Sequence, residues 1–161
     1  MKQFETAVLA LAHALRARGS TITTAESCTG GLIAAACTAV AGSSDWFERG
    51  FVTYSNDAKT ELLGVDAALI AGHGAVSEVV ARAMAEGALV HSHANLGVAV
   101  TGIAGPGGAT QGKPVGTVWL ALAQRGGATR SELLQLGGDR SAVREQTVQH
   151  ALARLLVAAT A

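Results

Sequence analysis

Apolar positions along the chain fall into segments with two different periods. Phe4, Val8, Leu11 and Leu15 lie on one stripe of a helix, and Gly19 ends it. Thr21 to Ala25 reads as a short strand of mostly β-branched residues. The chain then turns at Glu26–Gly31 into a second helix, with Ile33, Ala36, Cys37 and Val40 at helical spacing. That helix is apolar nearly all round, which predicts burial, and Gly42-Ser43-Ser44 breaks it. Phe51 to Tyr54 reads as a strand, and a short helix follows from Asn56 to Leu63. Ser77 is placed to cap a helix running to about Val90, with Val80, Met84 and Gly87 on its inner side. Leu96 to Val100 is a buried strand that opens into a Gly-rich loop, Thr101 to Gly112. Two strands, Val115–Ala123 and Ser131–Leu136, are joined by so short a turn that they must form an antiparallel hairpin. A final helix covers about Ser141 to Val157, with Val148, Leu152, Leu155 and Leu156 facing inward.

Strands interleaved with helices, plus one hairpin, predict an α/β fold with a mixed sheet covered by helices on both faces. No repeat, low-complexity tract or linker divides the chain, so residues 1–161 read as a single domain. Twelve basic residues balance twelve acidic ones, and no local basic run exists. Neither nucleic acid nor an anionic membrane is therefore an expected partner. Glu5 and His13 interrupt the amino-terminal apolar stretch, which argues against a signal peptide. No segment is long and apolar enough for a membrane span, and a cytoplasmic location is expected. The two cysteines, Cys28 and Cys37, read as lying in one helix, some 13 Å apart along its axis, too far for a bridge. Both are expected to act as small buried hydrophobes.

The most informative segment is Thr23 to Gly31. Two glycines in the first turn of a helix cost it about 1 kcal/mol each relative to alanine. They make sense where something must approach the backbone, and helix N-termini attract oxyanions and phosphates. An equal alternative is that Ser27 or Thr29 is only an N-cap and the glycines serve packing. For Ser27 to act as a nucleophile, a neighbour must take its proton. The histidines offer little. His13 and His150 sit in terminal helices, His73 in a Gly-flanked loop, and His91 and His93 at a helix end with no further metal ligand apparent. Lys59, just after the strand that carries Tyr54, offers a Ser-Lys alternative, although alone it would read as a surface residue. Gly107, Gly112 and Lys113 have the spacing of a phosphate-binding loop, but Pro114 and a strand follow where the motif needs a helix. The loop after Val100 can still present backbone N–H groups to a nucleotide, or be a plain Gly-rich crossover. Arg140 and Arg144, one helical turn apart, are candidates for a phosphate or simply exposed charges.

Taken together, Thr24-Ala25-Glu26-Ser27-Cys28-Thr29-Gly30-Gly31, Ala41-Gly42-Ser43-Ser44 and Gly50-Phe51-Val52-Thr53-Tyr54-Ser55-Asn56 with Lys59 resemble the CinA carboxy-terminal domain family. Thr101-Gly102-Ile103-Ala104-Gly105-Pro106-Gly107-Gly108, Lys113-Pro114-Val115-Gly116-Thr117-Val118 and Gly138-Asp139-Arg140 continue the resemblance in order. It covers nearly the whole chain. The resemblance implies a three-layer α/β/α sandwich, a homo-oligomer, and a reaction needing neither metal nor cofactor. Larger members carry an additional amino-terminal domain, and this chain is similar to the stand-alone enzymes. The implied activity is hydrolysis of nicotinamide mononucleotide to nicotinate mononucleotide and ammonia, in pyridine-nucleotide salvage. Ser27 matches the family nucleophile, and Tyr54 and Lys59 match the residues that activate it. The substrate is expected to lie against Glu26, Thr29, Gly30, Gly31, Asn56, Thr101, Gly102, Gly105 and Arg140. Two other readings stay open: a non-catalytic nucleotide-binding module, and a serine amidase for another small amide.

Overall fold

The computed structural model describes all 161 residues. A 3-10 turn at Lys2–Phe4 leads into α1 (Glu5–Arg18), followed by β1 (Ile22–Glu26), α2 (Leu32–Thr38), β2 (Phe47–Val52) and α3 (Asn56–Leu63). The chain continues through α4 (Ala67–His73), α5 (Glu78–Val90), β3 (Leu96–Gly102), β4 (Thr117–Gln124), β5 (Arg130–Gln135) and α6 (Arg140–Thr160). The five strands form one sheet in the order β2-β1-β3-β4-β5. The β1 strand pairs in parallel with both β2 and β3, whereas β4 runs antiparallel to β3 and to β5. The mixed sheet with its hairpin is the one the sequence predicts.

Period-two alternation sorts the central strands into two unlike faces. Ile22, Leu96, Val98, Val100, Val118, Leu120 and Leu122 point to one side, where they meet α1, α2 and α6 in a single apolar cluster. On the other side stand Ala25, Ala99, Ala121 and Ala123, and the α5 residues Val80, Ala81, Met84 and Ala85 pack against them. The small side chains let α5 lie close: a Cβ on Gly97 would come within 3.1 Å of the Ala85 carbonyl. Closer still is the contact between α5 and α3, where a Cβ on Gly87 would lie 2.1 Å from the Leu63 carbonyl. The carboxyl end of α3 therefore rests directly on α5 backbone.

Several local expectations need correction. The α2 helix buries Ile33, Ala36 and Cys37 but exposes Ala35 and Thr38, so it is half-buried rather than enclosed. Gly30 and Gly31 do not lie in its first turn. They precede it with φ of 58° and 98°, left-handed values that glycine adopts freely. Cys28 consequently belongs to the turn and not to a helix shared with Cys37, though both thiols are free and buried. The β2 strand begins at Phe47 and ends at Val52, which leaves Tyr54 in the following loop. His73 closes α4, an element absent from the sequence reading; Asp66 caps it by accepting a hydrogen bond from the Ala68 N–H. No helix is long and apolar enough to cross a membrane.

Candidate active site

The β1 strand ends in a buried acid. Glu26 is wholly buried, and its carboxylate accepts from Thr29 Oγ1 at 2.6 Å and from the Ile33 and Ala34 N–H groups at 2.8 and 3.0 Å. A helix start carries unpaired N–H groups and partial positive charge, and this carboxylate answers both. Glu26 and Thr29 are thus turned toward α2 and hold the turn that follows β1. The anion that the sequence places at this helix start is the protein's own side chain.

Ser27 is the first residue past the strand, and its N–H donates to the Val100 carbonyl at 3.1 Å. Its hydroxyl meets the tip of Lys59, with Nζ to Oγ 3.0 Å. Lys59 is only 1% exposed, and Nζ also donates to the Thr53 carbonyl at 2.7 Å and lies 3.5 Å from the Ser55 carbonyl. The α3 helix delivers this amine because both its ends are defined. Ser55 Oγ accepts from the Ala58 N–H at 3.0 Å, and Gly64 closes the helix in the left-handed conformation. Lys59 and Leu63, four residues apart, share the inward face.

No carboxylate pairs with Lys59. Burial pushes its pKa below the ordinary lysine value, because the ammonium loses water without gaining a counter-charge. The neighbouring Cys28 thiol would oppose that shift if ionised, but burial pushes it up to about 11, so it stays neutral. A neutral amine has two N–H donors for the two carbonyls and a lone pair for the serine proton. That is the arrangement of a nucleophile with its base.

The turn from Ser27 to Gly31 is also held from α6. Arg144 Nε donates to the Cys28 carbonyl at 3.2 Å, and Nη2 donates to the Thr29 carbonyl at 2.9 Å. Within the turn, the Gly30 N–H donates to the Ser27 carbonyl at 3.0 Å. One turn earlier on α6, Arg140 donates to the Gly105 carbonyl at 2.9 Å and to the Tyr54 hydroxyl at 3.1 Å. The first turns of α6 therefore tie together the loops after β1, β2 and β3. Both arginines are engaged with protein oxygens, which sequence spacing does not reveal.

A sequence profile described as the CinA C-terminal domain matches residues 5–158. The chain belongs to this family. It is 57% identical over 145 residues to the nicotinamide-nucleotide amidohydrolase PncC of Escherichia coli K12, a match covering 89% of this chain and 87% of that one. It is 60% identical over 133 residues to a CinA-like protein of Akkermansia muciniphila, covering 83% of this chain but only 32% of the relative, about a third of its length. The competence/damage inducible protein CihA from Agrobacterium tumefaciens has the same fold, with a TM-score of 0.94 at 46% identity, covering 98% of this chain and 96% of that one.

Placed on this CinA domain, the remaining expected residues fall into two groups. Asn56 begins α3, Thr101 and Gly102 end β3 next to β1, and Gly105 lies in the loop beyond, where its carbonyl accepts from Arg140. Thr101 Oγ1 donates to the Ala75 carbonyl at 3.0 Å and ties β3 to the loop before α5. Tyr54 is the exception. Its side chain is 61% exposed and its hydroxyl meets Arg140, with no hydrogen bond to Ser27 or Lys59. With β2 ending at Val52, the side chain of Tyr54 turns to solvent. No histidine hydrogen-bonds to Ser27 or Lys59, and no cluster of three or more His, Cys, Asp or Glu could hold a metal. Two cavities, of about 440 and 240 Å³, lie beside β4–β5 and the far end of α6. Neither is lined by a nucleophile beside a buried base, so the chemistry rather than the volume locates the site.

Proposed function

We propose that this chain is a nicotinamide-nucleotide amidohydrolase working through a Ser-Lys acyl-enzyme. The observation that carries the reading is the 3.0 Å contact between Ser27 Oγ and a buried Lys59 amine that lacks a counter-ion. The substrate comes from the PncC relatives, whose name specifies nicotinamide nucleotides. In the reaction, neutral Lys59 takes the Ser27 proton as Oγ bonds to the carboxamide carbon. The Cys28, Thr29 and Gly31 N–H groups have no acceptor on another residue and can receive the developing oxyanion. Such a donor is worth about 3–4 kcal/mol of barrier in well-studied enzymes. The C–N bond then breaks, the Lys59 ammonium returns its proton to the leaving nitrogen, and ammonia departs. Water attacks the ester with Lys59 again as base, which releases nicotinate mononucleotide and free Ser27. The pyridinium ring of the bound substrate is a cation and lowers the Lys59 pKa further. Deamidation of this nucleotide places the chain in pyridine-nucleotide salvage.

The deciding experiment is an ammonia-release assay on nicotinamide mononucleotide with Ser27→Ala and Lys59→Arg beside the wild type. The reading expects turnover by wild type and a loss of at least about a thousandfold in both variants. Arginine keeps the charge of lysine but cannot deprotonate at usable pH. Nucleotide binding without ammonia release by the wild type would instead favour a non-catalytic module. Substantial activity in Lys59→Arg would remove Lys59 as the base.

A further inference from the structure

The turn that carries Ser27 contains two consecutive left-handed glycines, Gly30 and Gly31, where peptide planes reorient at little steric cost. Within the turn only the Gly30 N–H is held, by the Ser27 carbonyl. We infer that Arg144 is a positioning residue, which holds the Cys28 and Thr29 carbonyls toward α6 and so keeps the Thr29 N–H free for the reacting oxygen. The kinetic consequence rests on the amidase reading; the structural consequence does not.

The geometry is a rigid fork on two successive carbonyls, at 3.2 Å for Cys28 and 2.9 Å for Thr29. The Arg144 Nη2 also lies 3.8 Å from where a Gly30 Cβ would stand, so the guanidinium spans the most pliable part of the turn. In a trans peptide the C=O and the next N–H point in opposite directions. Carbonyls drawn toward α6 therefore send the N–H groups of the same peptides, those of Thr29 and Gly30, the other way; the Gly30 N–H donates to the Ser27 carbonyl, and the Thr29 N–H is left without a protein acceptor. The α6 helix packs on the sheet face that carries α1 and α2, whereas α3, the source of Lys59, packs on α5 over the opposite face. The carbonyls are accordingly held off the side from which Lys59 reaches Ser27. Glu26 anchors the same turn from beneath through Thr29 Oγ1 at 2.6 Å. Arg144 pairs with no carboxylate, and its two bonds to this turn are the hydrogen bonds it makes within the protein. If the Cys28–Thr29 plane reversed, a carbonyl oxygen would face the developing oxyanion where charge stabilisation is needed.

The test uses Arg144→Ala and Arg144→Lys in the full chain, with ammonia release measured on nicotinamide mononucleotide and on the phosphate-free riboside. For Arg144→Ala we expect kcat to fall about a hundredfold on both substrates with KM within about threefold, the size of losing an oxyanion donor. Added guanidinium ion at non-denaturing concentration should restore part of that loss, and Arg144→Lys should fall between Ala and wild type. Amide ¹H–¹⁵N spectra without substrate should show Gly30 and Gly31 displaced in Arg144→Lys while β4 and β5 resonances stay in place. The inference is overturned by a kcat within about threefold of wild type, or by a KM increase confined to the phosphorylated substrate, which would make Arg144 a phosphate ligand. Unmoved Gly30 and Gly31 resonances would overturn it equally. If wild type releases no ammonia from either substrate, the amidase reading fails separately and the amide spectra alone decide on Arg144. Should Arg144→Ala not fold, the Lys variant carries both readouts.

Discussion

Lys59→Met removes a fully buried amine, and the stability difference between wild type and variant should climb with pH. Unfolded, Lys59 titrates near the ordinary 10.5; folded, burial holds it lower. Between the folded value and 10.5 the unfolded chain binds one proton more than the native protein, so native stability rises with pH. The limiting slope for one proton is about 1.4 kcal/mol per pH unit. Below the folded value both states hold the proton and the burial penalty is present in full; above 10.5 it is gone. The wild-type curve alone would mislead. Burial holds Cys28 and Cys37 at about 11 and about 12 against an ordinary 9.0, which lowers stability as pH rises above 9.0. Those thiols are present in both proteins, so below 9.0, where neither ionises in either state, the difference isolates Lys59. Methionine also leaves the Thr53 carbonyl, 2.7 Å from Nζ in the wild type, without that donor. That costs about 1–3 kcal/mol, an offset without slope. Urea unfolding of both proteins at half-unit steps from about pH 6 to pH 10 measures the difference directly. A flat or falling difference would mean that Lys59 keeps its proton throughout, and a permanently charged lysine cannot be the base for Ser27.

Three further outcomes follow from the geometry. Tyr54→Phe should leave kcat within about threefold and stability within about 0.5 kcal/mol, because the hydroxyl is exposed and bonded to Arg140; a hundredfold loss in steady-state assays would show that it relays the proton after all. Glu26→Gln should cost about 1–3 kcal/mol in denaturant unfolding, since an amide offers one acceptor oxygen where the carboxylate uses two for Thr29, Ile33 and Ala34. Gly87→Ala should cost at least about 1–3 kcal/mol by thermal unfolding and lower kcat as well, because its Cβ would sit 2.1 Å from the Leu63 carbonyl and push α3, with Lys59, off α5. Wild-type unfolding and turnover in that variant would refute the close approach.

Much of the fold was legible because its signals were local. The α3 segment is bounded in the chain by Ser55, which caps it, and Gly64, which ends it, and the hairpin follows from a turn too short for anything else. Features without a local signal were misread or missed. Seven residues with only Ile70 buried leave α4 no stripe to recognise. The run of small residues in α2 hides which side faces the core. The edge strand β2 starts with Glu48, Arg49 and Gly50 after Phe47, which do not alternate as a half-buried strand should. At the site, Ser27 and Lys59 could be paired only through the family resemblance, since 32 residues separate them. Glu26 and Thr29 carry the right chemistry for substrate contact, and only three-dimensional placement shows them facing α2. The clamp by Arg144 depends on a helix more than a hundred residues away, beyond the reach of any pattern in the sequence.

That separation bears on when the protein becomes competent as it is made. Cys28 and Arg144 are 116 residues apart, so their contact is among the least local in the chain. During synthesis Ser27, β2 and Lys59 emerge early, and β3, the other strand that pairs with β1, follows. The turn between β1 and α2 nevertheless stays unclamped until α6 leaves the ribosome and docks Val143, Val148, Leu152 and Leu155 onto the sheet. Contacts of such long range are the slow ones to form. A growing chain thus carries Ser27 and Lys59 well before the backbone around them is set, and under the proposed mechanism reactivity is deferred to the closing step of folding.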